Sequence, residues 1–250
     1  SRVMKQTALI TSAVLAGSAL FAGFASAGDD PAPAAPSSDL DVSFGVGYTN
    51  EYVFRGTNRG DDLFAASIGV SGSGSALGLD LDLSAGLQLL TWNGIGRDAR
   101  IDHGLTPKEM RINMEASQSL GSFDLAVGVT NYSYFGSSTV ADNLEPYVAL
   151  STEMAGLDVG IGVHDTEDED DPYIEITAGR SVDLGGLGLC VQGVIGTLNE
   201  FDDTFYGVSV CLPIAASDSI TVAPNVSAIF GDTTSGDDEF TAGVNLNFGF

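Results

Sequence analysis

From residue 41 onward the chain alternates. Apolar side chains occupy every second position in short runs, and the positions between them are polar or very small, as where Leu79, Leu81, Leu83 and Leu87 are interleaved with Asp80, Asp82, Ser84 and Gln88. A repeat of two is the signature of a β-strand whose faces meet different surroundings. Twelve runs carry it: 42–54, 64–70, 77–89, 110–116, 123–129, 144–154, 157–163, 174–178, 187–195, 206–212, 220–230 and 241–250. The last is the most regular, with Ala242, Val244, Leu246, Phe248 and Phe250 on one face and Thr241, Gly243, Asn245, Asn247 and Gly249 on the other. An even number of such strands predicts an all-β chain, closed as an antiparallel up-and-down β-barrel of about 12 strands with both termini on the periplasmic rim.

Parity alone does not say which face is inside. A secreted β-sandwich or jelly roll would turn the apolar face inward and leave the other in water. The second face argues for the reverse, because Thr49, Arg111, Asn113, Glu115, Glu145, Glu175, Gln192 and Asn247 are too polar for a second core. Burying such groups unpaired costs roughly 2–7 kcal/mol each. The expectation is a transmembrane barrel with apolar side chains toward lipid and polar ones toward the bore.

The connections fall into two classes. Gly72 to Ala76, Gly121-Ser122, Ala155-Gly156, Asp183 to Gly186 and Ala215 to Ser219 read as tight turns on one rim. Those on the other rim are mostly longer and charged, the extreme running from Asn93 to Lys108. Tyr52, Phe54, Trp92, Tyr132, Tyr134, Phe135 and Phe230 collect near the long-loop ends and read as an interfacial aromatic girdle. Pro146 and Pro224 fall inside predicted strands, and a closed barrel has no free edge for them, so bulges or early strand ends are expected there.

Arg2 and Lys5 precede an Ala-rich apolar run from Thr7 to Phe24, and Ala25-Ser26-Ala27 is a small-x-small cleavage site. These are the parts of a secretory signal peptide. The expected organisation is a leader over 1–27, a disordered Pro/Ala-rich tail over 28–40 and one barrel over 41–250. The final run, ending on Phe at its apolar face, resembles the C-terminal signal of Gram-negative outer-membrane barrels, which the barrel-assembly machinery reads. That resemblance makes Phe248 and Phe250 an assembly signal and gives the chain outer-membrane lipid and lipopolysaccharide as surroundings. Nine Lys and Arg stand against 34 Asp and Glu, a net charge of -25. Such a surface repels nucleic acid and attracts cations.

At the end of the first run stands Tyr52-Val53-Phe54-Arg55-Gly56-Thr57-Asn58. It resembles the Tyr-x-Phe-Arg-Gly-x-Ser/Asn signature of the TorF-type family of outer-membrane porins, whose members also carry a signal peptide and end in Phe. The resemblance implies a barrel that passes small solutes. From the residues themselves, Gly56 permits a tight turn and Arg55 falls on the inward phase at the outer mouth. Arg55 has two roles open to it: lining the pore, or pairing with a lumen carboxylate to hold the rim together.

Parity also turns Glu51, Asp80, Asp82, Glu109, Glu115, Asp124, Glu145, Glu153, Asp158, Glu175 and Arg111 into the bore, and counting from the strand ends puts Asp80, Asp82, Arg111 and Glu115 nearest its middle. An excess of carboxylates between low-dielectric walls favours cations. The expected function is passive diffusion of small hydrophilic solutes, with cation preference. The alternative is a non-conducting barrel, plugged by its own side chains, that serves as an anchor or presents its acidic loops as an interaction surface.

Other chemistry is poorly provided for. His103 and His164 are the two histidines, followed by Gly104-Leu105 and Asp165-Thr166 and so outside the His-x-Ser arrangement of outer-membrane phospholipases and deacylases. Asp102-His103 bears a faint likeness to the Asp/His pairs of outer-membrane proteases, with Asp61-Asp62 as the acid pair it would need. No reaction and no cofactor is expected. The run from Asp165 to Asp171 lacks the Gly and Glu that an EF-hand loop uses, so no specific metal site is expected. Loose divalent binding that bridges to lipopolysaccharide phosphates is left open to it. Cys190 and Cys211 are nearly symmetric about the connection at 199–203 and share the inward face. A directly facing pair has Cβ atoms about 4.5–5.5 Å apart, near what a disulfide needs, and the periplasm is oxidising. A bridge is expected, the alternative being two separate thiols.

Overall fold

The structure is a computed structural model and describes residues 40–76, 79–94, 108–135, 142–165, 172–185, 187–198, 201–231 and 238–250. The expected signal peptide, nearly all of the tail, His103 and most of the acidic run at 165–171 lie outside the described residues.

Alternating sequence becomes strand throughout: β1 (Asp41–Phe54), β2 (Thr57–Ala76), β3 (Leu79–Gly94), β4 (Glu109–Leu120), β5 (Phe123–Tyr134), β6 (Asn143–Met154) and β7 (Leu157–His164). Then follow β8 (Tyr173–Asp183), β9 (Gly188–Leu198), β10 (Asp203–Cys211), β11 (Ile214–Ser217), β12 (Ile220–Gly231) and β13 (Glu239–Gly249). From β1 to β10 each strand pairs antiparallel with the next, and β13 closes on β1 with Phe44 opposite Phe248 and Val46 opposite Leu246. β10 and β11 both pair with β12, parted by Leu212-Pro213, so together they form one stave. The result is a closed 12-strand antiparallel barrel.

Which face is outside is now decided. Phe44, Ile68, Leu83, Met114, Val127, Val148, Ile161, Ile176, Ile195, Val208, Val226 and Val244, one from each stave, are between 38% and 55% exposed. A continuous apolar belt of that size is not a surface for water, and it excludes the sandwich. Inside, Thr49, Ser67, Gln88, Ser117, Thr177, Thr241 and Asn245 are buried. Large inner side chains are given room by glycine on the neighbouring strand. A Cβ on Gly128 would lie 2.4 Å from the Tyr147 ring, and one on Gly196 would lie 2.4 Å from the Phe205 ring.

The register corrects several local expectations. Gly72 to Ala76, expected as a turn, is strand and pairs with Leu79 to Leu83, while Ala215 to Ser217 belongs to β11. Ala155-Gly156 is a two-residue turn with φ of 55° and 75°, the type I′ geometry that suits a hairpin. Neither Pro146 nor Pro224 interrupts its register. In an antiparallel strand a residue's nitrogen and carbonyl oxygen address the same neighbour. The Pro146 carbonyl accepts from Asp165, just past the end of β7, and the Pro224 carbonyl accepts from Leu212, at the break between β10 and β11. Each proline therefore turns its hydrogen-free nitrogen toward a place where the neighbouring strand has stopped, and no bulge is needed.

Candidate functional site

β1 leaves the wall before it ends. Its ladder with β13 runs from Ser43 to Thr49. Beyond it the Asn50 side chain takes the place of backbone, its oxygen accepting from Ala242 N at 2.6 Å and its nitrogen donating to the Phe240 carbonyl at 3.5 Å. With that edge of β13 covered by an amide, the rest of the β1–β2 hairpin is free to turn into the bore. Its register shifts between Tyr52 and Val53, and it reverses through Arg55 and Gly56, with φ of 50° and 77°. A left-handed arginine costs about 1–3 kcal/mol and persists only where its surroundings over-determine it.

Those surroundings are the interior of the barrel. Tyr52 and Val53 are neighbours, and both are 0% exposed. A wall strand would send one of them to lipid, so this segment has protein on both faces. Tyr52 packs with Leu63, Leu90 and Tyr132, whereas Val53 packs with Tyr173, Val194, Phe205 and Ile229. The hairpin tip thus joins β3 and β5 on one side to β8, β9, β10 and β12 on the other.

Charge is paired around this tip. Arg55 Nη2 donates to both carboxylate oxygens of Glu145 at 2.7 Å, and its guanidinium lies 4.2 Å from the Tyr173 ring centre. Glu145 Oε1 also meets Tyr132 OH at 3.4 Å and His164 Nδ1 at 3.1 Å. The His164 ring stacks on Tyr147, with centroids 5.2 Å apart, and its Nε2 is 3.8 Å from Glu175 Oε1. Tyr173 OH donates to Glu175 at 3.0 Å, and Tyr147 OH donates to Glu115 at 2.5 Å. Beside Tyr52, Arg111 donates to Glu109 and to the Tyr52 hydroxyl. Arg55, Arg59 and Arg111 all lie 4.7–5.0 Å from the Phe54 ring centre. Among the described residues no group of three or more His, Cys, Asp or Glu is placed to hold a metal ion.

Of the residues expected in the bore, Arg55, Arg111, Glu115, Glu145 and Glu175 meet in or beside this bundle. Asp80 and Asp82 do not. β3 begins at Leu79, so both sit exposed at the turn-side rim, where Asp82 accepts from Ser73 at 2.5 Å. Their expected place at mid-height fails because Gly72 to Ala76 extends the hairpin as strand. The girdle is also corrected: Tyr52, Phe54 and Tyr132 are buried inside, with Trp92 and Tyr134 packed against them, leaving Phe135 and Phe230 exposed. Cys190 and Cys211 are directly opposite in the β9–β10 ladder, with Cα atoms 5.0 Å apart. Phe250 exchanges backbone hydrogen bonds with Val42, and Phe248 lies 5.8 Å from Phe44, ring to ring. Asn50, Tyr147 and Tyr173 were not foreseen as site residues, whereas Glu109 was expected on the inward face. The one advance signal is the consecutive apolar triplet Tyr52-Val53-Phe54, which breaks the alternation where the hairpin enters the bore.

An apolar exterior around a polar, charged interior defines an outer-membrane β-barrel. The chain belongs to the family described as "Bacterial protein of unknown function (Gcw_chp)", which matches residues 33–244. No curated protein matches it. Among solved structures it is similar to the COG4313 outer membrane channel from Pseudomonas putida F1, with TM-score 0.55 and 10% identity over 89% of this chain and 100% of that one. It is also similar to the Salmonella typhi outer membrane phospholipase dimer with bound calcium, with TM-score 0.51 and 14% identity over 83% and 90%. The KdgM porin aligns with TM-score 0.47 and 9% identity over 84% and 99%. At these identities the likeness is one of fold.

Proposed function

We propose that this barrel is an outer-membrane channel for passive diffusion of small hydrophilic solutes, with a preference for cations, and that the β1–β2 hairpin is its narrowest part. The observation that carries the reading is the inner wall. Glu109, Glu115, Glu145 and Glu175 line it, Glu145 and Glu109 paired with Arg55 and Arg111, and even with Arg59 at the Phe54 ring the carboxylates outnumber the guanidinium groups behind an apolar exterior. Charges held between low-dielectric walls act on a passing ion more strongly than they would in water. Exposed Asp80 and Asp82 add negative charge at the turn-side mouth. The Tyr52-Val53-Phe54-Arg55-Gly56 motif supports the TorF-type porin reading within this class. In that arrangement both termini face the periplasm, lipid and lipopolysaccharide surround the belt, and Phe248 and Phe250 on the closing strand present the chain to the assembly machinery.

The reading assigns no reaction and needs no cofactor. A second reading, the non-conducting barrel, is favoured by the complete burial of Tyr52, Val53 and Tyr173 at the level of the hairpin. Swelling of protein-loaded liposomes in iso-osmotic small sugars separates the two. Swelling that slows with solute size supports the channel, and none with any solute supports the closed barrel.

A further inference from the structure

Arg55 and His164 reach for the same atom. Glu145 Oε1 accepts from Arg55 Nη2 at 2.7 Å and lies 3.1 Å from His164 Nδ1, and all three residues are buried. Two buried polar atoms beside them have no hydrogen-bond partner, His164 Nε2 and Glu175 Oε1, and they face one another at 3.8 Å. His164 is faced by Glu145 and Tyr147 from β6, by Glu175 and Tyr173 from β8, and by Arg55 from the hairpin. Behind these, Tyr132 of β5 reaches Glu145, and Glu115 of β4 holds Tyr147.

We propose that this cluster is an acid-released latch: with His164 neutral, Arg55 holds the hairpin across the bore through Glu145, and a proton on His164 displaces Arg55 and frees the hairpin. The effect on permeation rests on the channel reading, whereas the movement itself does not.

The direction follows from charge. A protonated imidazole donates from both nitrogens, so it bridges Glu145 and Glu175 and satisfies the two orphaned atoms. The same charge repels the guanidinium that shares Glu145. In the latched state a proton on His164 meets two carboxylates and Arg55; after release it meets the two carboxylates alone. Protonation is therefore more favourable with the hairpin out, and by linkage acid favours release. Histidine is the side chain whose ordinary titration falls between about pH 5 and 8.

The molecule carries its own reporter. Trp92 is the sole tryptophan, and its ring centre is 4.8 Å from that of Tyr52 in the hairpin. The test records Trp92 emission and single-channel conductance of the refolded barrel at pH 8 and pH 5. Wild type should show an emission change on acidification together with a several-fold rise in conductance. His164→Gln, which keeps a hydrogen bond to Glu145 but does not titrate, should lose both responses. Glu145→Gln and Arg55→Gln should give the acid-type emission at both pH values, with far-ultraviolet dichroism confirming the barrel. A flat wild-type emission, or an unchanged acid response in His164→Gln, overturns the latch. An emission change in wild type with no current from any variant overturns the channel reading and leaves the latch standing.

Discussion

Arg55, in the turn between β1 and β2, and Glu145, on β6, are joined across the interior of the barrel, with Nη2 of the arginine 2.7 Å from each carboxylate oxygen. A pair between adjacent wall strands would only reinforce a ladder. This one ties an in-turned hairpin to a distant stave, and both partners are buried. Breaking such a pair leaves a charge uncompensated where water cannot reach it.

The first prediction is therefore a coupling. Arg55→Ala and Glu145→Ala should each lower stability by about 3–5 kcal/mol, and the double variant should lose less than the two combined. Denaturant unfolding of the refolded barrel, followed at Trp92, measures all three. Additive losses would mean that the pair contributes nothing as a pair.

The lipid-facing belt gives the second. Ile161 on β7 is 44% exposed between Leu150 and Ile176. Ile161→Arg should cost about 2–4 kcal/mol in a bilayer, the range for an arginine near the midplane. Ile161→Leu should be close to neutral. Equal stability of the two in vesicles would count against the outward assignment.

How much of this was written in the sequence depends on which residues are asked about. Ile161, Val148 and Phe44 could be assigned because a wall strand has two unlike faces, and alternation records that difference directly. Tyr52 and Phe54 could not, because parity was carried through a register shift into a segment whose faces are both buried, where period two has no meaning. For Asp80 and Asp82 alternation speaks to the face and not to the height, since strand ends depend on the length of the partner strand. Pro146 and Pro224 looked like defects only because the ends of β7 and β10 cannot be read locally. The pairing of Arg55 with Glu145 was legible as a type of contact and not as a partner, since nothing local in a sequence reports what lies across a bore.

Packing inside the wall gives the third prediction. A Cβ at position 128 would lie 2.4 Å from the Tyr147 ring, which is stacked on His164 and bonded to Glu115. Gly128→Ala should push that ring off Glu115 and destabilise the barrel by about 1–3 kcal/mol, the usual cost of overpacking. Tyr147→Phe in the same background should recover only part of the loss, because the added Cβ meets ring carbons at 2.4 and 2.6 Å as well as the hydroxyl oxygen at 2.5 Å. Wild-type stability of Gly128→Ala would show that Tyr147 is not held there.

Cys190 and Cys211 give the fourth. Opposite one another in the ladder, with Cα atoms 5.0 Å apart, they are within the spacing a disulfide spans. Protein taken from an oxidising compartment, denatured without reductant, should titrate no free thiol, and reductant should release two. Two free thiols before reduction would mean that the sulfurs face each other unbonded.

The fifth concerns the mouth. Asp80 and Asp82 are exposed at the turn-side rim, whereas Glu115 is buried against Tyr147. Replacing Asp80 and Asp82 by Asn should weaken cation preference at low salt and have little effect at high salt, because the Debye length falls from about 10 Å at 0.1 M to about 3 Å at 1 M. Glu115→Gln should reduce the preference at both. A salt-independent effect of the aspartates would place them on the ion path instead.

The most direct test of the account is the reversal potential of wild-type protein across a planar bilayer under a potassium chloride gradient. A conducting, carboxylate-rich bore predicts discrete current steps and a reversal potential displaced toward the potassium equilibrium value. Displacement toward the chloride value, or a membrane that carries no steps at any pH, would contradict it.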